Sequence, residues 1–303
     1  MTASSGGTTA FSADPLLDLP EVEGVKHRFV DADGLQVHIA EAGDADAPPV
    51  LLLHGWPQHW YVWRDLFERL SPQFHLIAPD LRGFGWTEAP GSGYDGETFA
   101  ADQIALLDAL EIERARVIGH DWGGWTAVLL GLIHPDRVER MLVLNAPHPW
   151  TRLTPRLVAE SWRSWYTWVI ATPGLGPWAM QQGWIAKNIL SRGNVGTPFT
   201  DGELDAYMES FKERSRALAV SHLYRYYQRA LREGISGRWR AHRLRVPTRF
   251  LFGERDRYLS PRLLPGFEPY ADDMEVELVP DSGHFVVEEK PDLVIDRARA
   301  FFG

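Results

Sequence analysis

The stretch GHDWGG, residues 119–124, places an aspartate among small residues at the end of an apolar run. Its glycines permit the tight bend between a strand and a helix that lifts one side chain clear of a sheet. A carboxylate is already ionised near neutral pH, so it can attack an sp³ carbon directly and form an ester with the protein. Most aspartates in such strings cap helices or lie in loops. Asp121 is therefore a candidate nucleophile whose role depends on its partners.

Two later loops supply a histidine and a second acid. His284 lies in DSGHF and Asp256 in FGERD, each just after a predicted strand. Taken singly, they could be a structural histidine and a solvated loop charge. With Asp121 they give the order nucleophile, acid, histidine at strand ends, where open α/β sheets bind ligands. His284 would act as general base on a water, and Asp256 would orient His284. Asn145 follows another predicted strand but cannot carry the negative charge of the acid, so Asp256 is the stronger candidate for that role.

The loop His54-Gly55-Trp56-Pro57 follows a buried strand, residues 50–53. From that position the Trp56 amide can point toward the Asp121 end of the sheet. Together with the Trp122 amide it would offer two N–H donors to a developing oxyanion. The alternative is that the glycine and the proline only shape a turn.

Short apolar runs alternate with amphipathic ones over the first half of the chain and return near its end, which indicates a parallel sheet covered by helices. The predicted strands are residues 27–30, 35–40, 50–53, 74–78, 117–118, 141–144, 249–252 and 274–279, the first two forming a hairpin. Predicted helices are residues 60–70, 99–110, 125–133 and 291–302. Residues 147–241 contain seven of the 13 tryptophans and no convincing strand, and predict helices at 156–170, 201–219 and 221–232.

Composition excludes several classes of protein. The chain has 303 residues, a net charge of −10 and no cysteine. Clustered positive charge for nucleic acid is missing, and thiolate catalysis and thiolate metal sites are excluded. The first residues do not resemble a signal peptide, and no apolar stretch approaches the roughly 20 residues that span a bilayer. We expect a cytoplasmic protein with no membrane span and no nucleic-acid partner.

The motifs HGWPQHWYVWR, PDLRGFGWTEAP, GHDWGG, FGERD and SGHFV resemble those of the α/β-hydrolase superfamily, in particular its epoxide hydrolase branch. The likeness runs from about residue 25 to the end. It implies a mostly parallel eight-stranded sheet flanked by helices, with an inserted α-helical cap. The expected division is a flexible leader at 1–20, a core at 21–147 and 242–303, and the cap at 148–241.

The resemblance also implies two cap tyrosines that hydrogen-bond to the epoxide oxygen. Tyr166 and Tyr224 match these positions, although Tyr226 and Tyr227 leave the second assignment open. Helical periodicity puts Tyr224 and Tyr227 on one face and Tyr226 on another. The alternative role for all of them is aromatic packing of the cap on the core.

The reaction that the resemblance implies opens a small apolar epoxide to a vicinal diol through an aspartyl ester, which a histidine-activated water then hydrolyses. It requires no cofactor, and the sequence shows no metal-ligand cluster. The sequence leaves a monomer and a homodimer equally open.

Three alternatives share parts of this pattern. Haloalkane dehalogenases use the same chemistry, but they usually carry an asparagine after His-Gly, where this chain has Trp56. Haloacetate dehalogenases tend to place an arginine beside the nucleophile, where this chain has Trp122. An esterase or lactonase would need a serine at position 121. A ligand-binding homologue without catalysis would be expected to lose part of the set that this chain keeps.

Overall fold

A computed structural model describes residues 19–152, 154–196 and 199–303, with only the backbone of 232–236. The leader predicted at 1–20 lies almost wholly outside these ranges. The strands are β1 (Lys26–Ala32), β2 (Leu35–Ala42), β3 (Pro49–Leu53), β4 (His75–Pro79), β5 (Ala115–His120), β6 (Val138–Leu144), β7 (Thr248–Gly253) and β8 (Met274–Val279). They form one sheet in the order β1-β2-β4-β3-β5-β6-β7-β8. Only the β1–β2 and β2–β4 pairs are antiparallel, so the predicted mostly parallel eight-stranded sheet is confirmed.

Helices cover both faces of this sheet. They are α1 (Arg64–Leu70), α2 (Gly96–Ala109), α3 (Trp122–Ile133), α4 (Pro155–Ala159), α5 (Trp165–Ala171), α6 (Leu175–Gln181), α7 (Trp184–Gly193), α8 (Asp201–Glu209), α9 (Arg214–Ser236), α10 (Val286–Glu289) and α11 (Pro291–Phe302). One apolar cluster joins the sheet to α2, α3 and the helices that follow β6. A second cluster joins the opposite face to α1, α10 and α11. None of the helices in the described ranges is long and apolar enough to cross a membrane.

The central strands are apolar over most of their length because both faces of the sheet are covered. β4 is buried throughout, and β3 and β5 each have only one partly exposed residue. Since β3 pairs in parallel with β5, and β5 with β6, the carboxyl ends of these strands meet at one edge of the sheet. The loops that carry the candidate catalytic residues begin at this edge.

Helices α4–α9 lie between β6 and β7, and we call residues 155–241 the helical insertion. Its three predicted helices are wrong in extent, and the one predicted at 221–232 is part of the longer α9 (Arg214–Ser236). The helix predicted at 156–170 is interrupted by a tight 3₁₀ turn over Ser161–Ser164. The helix predicted at 201–219 is divided: α8 ends at Glu209, a 3₁₀ turn follows over Ser210–Lys212, and extended backbone at Glu213 (φ −71°, ψ 129°) separates this turn from α9. The Glu213 carboxylate accepts a hydrogen bond from Arg216 of α9.

Helices α6 and α7 were missed by the sequence patterns. Each begins directly after a glycine with positive φ, Gly174 at 76° and Gly183 at 71°. α6 also contains a glycine and a proline, residues that normally indicate a loop. Here they lie at the start of the helix, where proline is tolerated, and so they hid a real helix.

Candidate active site

Asp121 occupies a strained turn between β5 and α3. Its backbone has φ 52° and ψ −114°, a region that residues other than glycine seldom adopt. The turn is possible because the backbones approach closely: a Cβ at Gly119 would lie 2.4 Å from the Gly123 carbonyl oxygen, and one at Gly123 would lie 1.9 Å from that of Leu53. The Asp121 amide donates to the Leu144 carbonyl of β6 at 3.1 Å. The glycines noted in the sequence are therefore required by the geometry that projects Asp121.

The loop after β3 approaches the Asp121 carboxylate. The Trp56 N–H donates to Asp121 Oδ1 at 2.9 Å. A Cβ at Gly55 would lie 2.4 Å from the Asp121 Cβ, so glycine is the residue that lets the loop come this close. Trp122 is the first residue of α3, and its N–H therefore has no acceptor within the helix. Of the predicted pair of amide donors, the Trp56 N–H thus contacts the carboxylate, and the Trp122 N–H has no acceptor inside its own helix.

His54 supports this loop through hydrogen bonds of both ring nitrogens. Its Nε2 accepts from the Leu81 amide at 2.9 Å, so the proton must be on Nδ1, which donates to the Gly55 carbonyl at 3.0 Å. Burial lowers the pKa of His54 and keeps the ring neutral. The ring therefore ties the loop before Trp56 and Pro57 to the segment after β4.

His284 links the two acids. Its Nδ1 lies 2.8 Å from Asp256 Oδ2, and its Nε2 lies 3.4 Å from Asp121 Oδ2. Asp256 Oδ1 accepts from the amides of Tyr258 at 2.8 Å and Leu259 at 2.9 Å. Asp256 is thus fully held, and Asp121 is the carboxylate that keeps an oxygen facing the histidine.

The charges of these three side chains depend on one another. Burial alone would lower the pKa of His284, but the negative charge of Asp256 and the hydrogen bond to Asp121 outweigh it and raise the pKa to about 10. Burial alone would raise the pKa of Asp256, but the charge and hydrogen bond of His284 lower it. The raised pKa therefore favours the protonated form of His284 in the free protein.

Asn145 is a site residue whose role the sequence did not reveal. Its Nδ2 donates to Asp256 Oδ2 at 2.8 Å and to the Gly283 carbonyl at 3.1 Å. It follows β6 with a φ of 42°, which brings its amide between the loops after β7 and β8. The sequence could exclude it as the acid, and a short polar residue at a strand end was the only signal of its contact with Asp256.

Aromatic side chains of the helical insertion cover the Asp121 end of the sheet. Tyr166 of α5 stacks on Trp56 with ring centroids 5.7 Å apart. Tyr224 of α9 meets Trp56 edge to face at 5.3 Å and Tyr166 at 6.0 Å. Burial, and after it nearby negative charge that includes Asp121, raises the pKa of both tyrosines well above 10, so both hydroxyls stay neutral.

Tyr226 and Tyr227 occupy different surroundings. A Cβ at Gly96 would lie 2.8 Å from the Tyr226 hydroxyl, which places that hydroxyl at the start of α2. The charge of Asp121 contributes to the raised pKa of Tyr227, after burial, and is not among the causes that raise the pKa of Tyr226 to about 12. Tyr227, on the same helical face as Tyr224, is therefore the closer competitor for the second position.

A cavity of about 540 Å³ connects these groups to the surface. Asp121, Tyr166 and Tyr224 line it together with apolar and aromatic side chains from both parts of the chain, such as Trp122, Trp125 and Leu263. A cavity of this size and lining suits a small apolar molecule. Within the described ranges, no group of three histidine or acidic side chains could hold a metal ion.

A family model of the α/β hydrolase fold matches residues 48–291. The chain therefore belongs to the α/β-hydrolase fold family. Among curated proteins it is 31% identical to the AB hydrolase superfamily protein YfhM of Bacillus subtilis (strain 168) over 280 residues, which cover 90% of this chain and 96% of the relative.

The relatives also point to one branch of that family. The chain is 31% identical to a soluble epoxide hydrolase of Corynebacterium sp. (strain C12) over 295 residues, 92% of this chain and 97% of the relative. The solved structure of epoxide hydrolase CorEH without ligand superposes with a TM-score of 0.79 at 28% identity, covering 92% of this chain and 98% of that one. These similarities support the epoxide hydrolase branch, as the motifs indicated.

Proposed function

We propose that this protein is an epoxide hydrolase that opens an apolar epoxide to a vicinal diol through a covalent ester on Asp121. The observation that carries the proposal is the position of the Asp121 carboxylate: one oxygen accepts from the Trp56 amide, and the other faces His284 and lines the cavity below Tyr166 and Tyr224. The epoxide hydrolase relatives support the same reaction.

In the first step Asp121 attacks an epoxide carbon and the C–O bond of the ring breaks. The negative charge moves from the carboxylate to the former ring oxygen, to which Tyr166 and Tyr224 both donate hydrogen bonds. One of the two tyrosines transfers its proton to this oxygen and is left as a tyrosinate. Asp121 is one of the causes that raise the pKa of both hydroxyls, and its charge disappears as the ester forms. The tyrosines therefore become better proton donors as the leaving oxygen needs a proton.

In the second step a water attacks the Asp121 ester carbonyl. The ester no longer carries the charge that helped to protonate His284, so the pKa of His284 falls, its proton returns to the tyrosinate left by the first step, and the neutral Nε2 can accept the proton of the water. Asp256 stabilises the imidazolium that forms. The amides of Trp56 and Trp122 bind the oxyanion, and each such donor is typically worth about 3 kcal/mol. The tetrahedral intermediate then breaks the bond between the Asp121 carbonyl carbon and the diol oxygen, and that oxygen takes the proton from His284 as the diol leaves. Asp121 regains its charge by giving its remaining proton to His284.

A single turnover in heavy-oxygen water, with protein in excess over styrene oxide, tests the scheme. The water attacks the Asp121 carbonyl, so the peptide that contains Asp121 should gain the isotope and the diol should not. Isotope in the diol with an unlabelled peptide would contradict the covalent mechanism. A parallel haloalkane panel tests the main alternative, because halide release without diol formation would assign a dehalogenase with the same three residues. The cytoplasmic location and the oligomeric state stay predictions.

A further inference from the structure

The outer surface of the helical insertion exposes five tryptophans, each between 48% and 70% accessible to solvent: Trp162, Trp165, Trp168, Trp178 and Trp184. They lie on the 3₁₀ turn before α5 and on α5, α6 and α7, and α6 packs against both of the other helices. The same helices bury other apolar side chains on their inner sides, as Ile170, Met180 and Ile189 show. We call the five tryptophans the tryptophan face. An exposed apolar patch of this kind marks an interaction surface.

The charge around this face is opposite to that of the whole chain. Residues 148–195 contain five basic side chains and one acidic side chain, whereas the protein carries a net charge of −10. A groove of about 820 Å³ borders the face and is lined by Trp162, Trp165 and five arginines: Arg163, Arg192, Arg255, Arg257 and Arg262. We call it the basic groove.

Some of the charge in the basic groove is not neutralised by the protein. Arg163 and Arg262 share the Glu160 carboxylate, and Arg255 contacts Asp281. Among residues with described side chains, none places a carboxylate within 4 Å of Arg192 or Arg257. The groove also contains Glu254 and Asp256, of which the second is neutralised by His284. Two exposed guanidinium groups therefore remain for an external anion.

We propose that the tryptophan face and the basic groove dock the protein on an anionic phospholipid surface. Tryptophan favours the boundary between lipid headgroups and hydrocarbon, where its ring is buried and its N–H stays hydrated. Arginine at the same level binds headgroup phosphates and responds to the negative potential of the membrane. The combination of apolar rings and neighbouring cations is the pattern of helices that lie on a membrane without crossing it.

A second copy of this chain fits the surface less well. A two-fold dimer would put the same patch on both sides of the interface. The arginines of one subunit would then face the arginines of the other, and the like charges would repel. An anionic bilayer instead offers the opposite charge over a broad area. The docking surface also lies next to the catalytic cavity: Ser164 lines the cavity, and its neighbours Arg163 and Trp165 line the basic groove. An apolar substrate dissolved in lipid would thus enter close to where the protein binds.

Flotation with lipid vesicles tests the docking without any substrate, so its outcome is separate from that of the catalytic scheme. The wild-type protein should float with phosphatidylglycerol–phosphatidylcholine vesicles, float poorly with phosphatidylcholine alone, and lose binding as salt rises. The triple variant Trp165→Ser, Trp168→Ser, Trp178→Ser and the double variant Arg192→Glu, Arg257→Glu should each weaken binding by about tenfold or more. Circular dichroism checks that each variant is folded.

The controls carry changes at exposed positions of the α/β core. Ile133→Ser with Leu278→Ser controls for loss of apolar surface, and Arg114→Glu with Arg245→Glu controls for charge; both should float like the wild type. Absence of flotation, or equal losses in the controls, would overturn the proposal. A wild-type dimer that the tryptophan variant converts to a monomer, without vesicle binding, would overturn it in favour of a second copy. Retention on an acidic peptide resin, without vesicle binding, would overturn it in favour of an acidic protein partner.

Discussion

Asp256 in the α/β core accepts hydrogen bonds from His284, Asn145 and the amides of Tyr258 and Leu259, so both of its oxygens have defined partners. Tyr166 in the helical insertion is positioned instead by ring contacts with Trp56, at 5.7 Å, and with Tyr258, at 5.7 Å. Among the residues with described side chains, none lies within hydrogen-bonding distance and geometry of the Tyr166 hydroxyl. That hydroxyl is therefore free to bind a ligand.

The difference separates two tasks. In the proposed reaction, the groups that carry charge lie at strand ends, where backbone amides and buried polar side chains hold them. The groups proposed to meet the leaving oxygen lie on helices, where packing can adjust to the shape of a substrate. If this division is correct, changes in the core should stop the covalent chemistry and changes in the insertion should slow it.

The largest effect is expected from Asp121→Asn. An amide has no ionised oxygen to attack carbon, so diol formation should fall at least about 10⁴-fold. The Trp56 amide can still donate to the amide oxygen of the variant, which keeps the local geometry. Product chromatography measures the loss, and an unchanged melting temperature shows that the fold is kept. Substantial residual turnover would mean that water attacks the epoxide directly.

His284→Gln should separate the two chemical steps. Glutamine cannot accept the proton of the attacking water, so hydrolysis of the ester should slow by about 10³-fold or more while attack by Asp121 continues. Intact mass spectrometry under saturating epoxide should then detect a mass increase equal to that of the substrate. A variant that is inactive and also free of adduct would contradict the two-step scheme.

Tyr166→Phe and Tyr224→Phe test the insertion side of the comparison. Each removes a donor to the forming alkoxide, so the rate of alkylation should fall by about 10²-fold, with little change in hydrolysis of the ester once formed. Rapid-quench measurement of the adduct gives the two rates separately. Tyr226→Phe is the matched control, since that hydroxyl lies at the start of α2. An effect of Tyr227→Phe that exceeds the effect of Tyr224→Phe would assign the second donor to position 227.

Asn145→Ala sharpens the comparison inside the core. Loss of its donor leaves the Asp256 charge less dispersed, which should raise the pKa of His284 and shift the acid limb of ester hydrolysis to higher pH, with a slowing of about tenfold. Asn145→Ser keeps a hydroxyl donor and should recover part of the rate. An equal loss in both chemical steps, with an unchanged pH profile, would indicate a purely structural role.

Sequence patterns predicted the core better than the insertion for a physical reason. Parallel pairing brings strand ends together, so residues as distant as Asp121, Asp256 and His284 could be placed at one edge from strand order alone. Asn145 was set aside because it has no charge, and only the folded loops show the carboxylate that its amide contacts.

The insertion lacks such a constraint. It is rich in aromatic residues on every helical face, so periodicity could not separate rings that pack inward, such as Tyr224, from rings that face solvent, such as Trp168 and Trp178. The glycines before α6 and α7, and the glycine and proline in the first turn of α6, also kept the sequence patterns from predicting these two helices. The contacts between insertion and core, which involve residues far apart in sequence, were likewise invisible.

One of those contacts gives the smallest expected effect. Buried Glu288 of α10 accepts from Gln58 at 2.5 Å, from Arg64 at 2.8 Å and from Tyr207 of the insertion at 2.7 Å. Burial raises the pKa of Glu288 from 4.5 to about 7, against the opposing effect of Arg64. At pH values between about 4.5 and about 7, the folded protein therefore binds a proton on Glu288 that the unfolded chain does not. The contribution of Glu288 to the free energy of unfolding falls as the pH rises through this range.

Glu288→Gln removes this titration and keeps one oxygen that can accept hydrogen bonds from Arg64 and Tyr207. Between pH 5 and pH 8 the melting temperature of the wild type should therefore fall relative to that of the variant, by about 2–5 °C. The exposed Glu268→Gln serves as the control and should track the wild type at both pH values. Because other groups titrate equally in both proteins, the difference between their melting curves isolates Glu288. A difference that is the same at pH 5 and pH 8 would show that Glu288 is ionised throughout, and that the junction between core and insertion is an ion pair at both pH values.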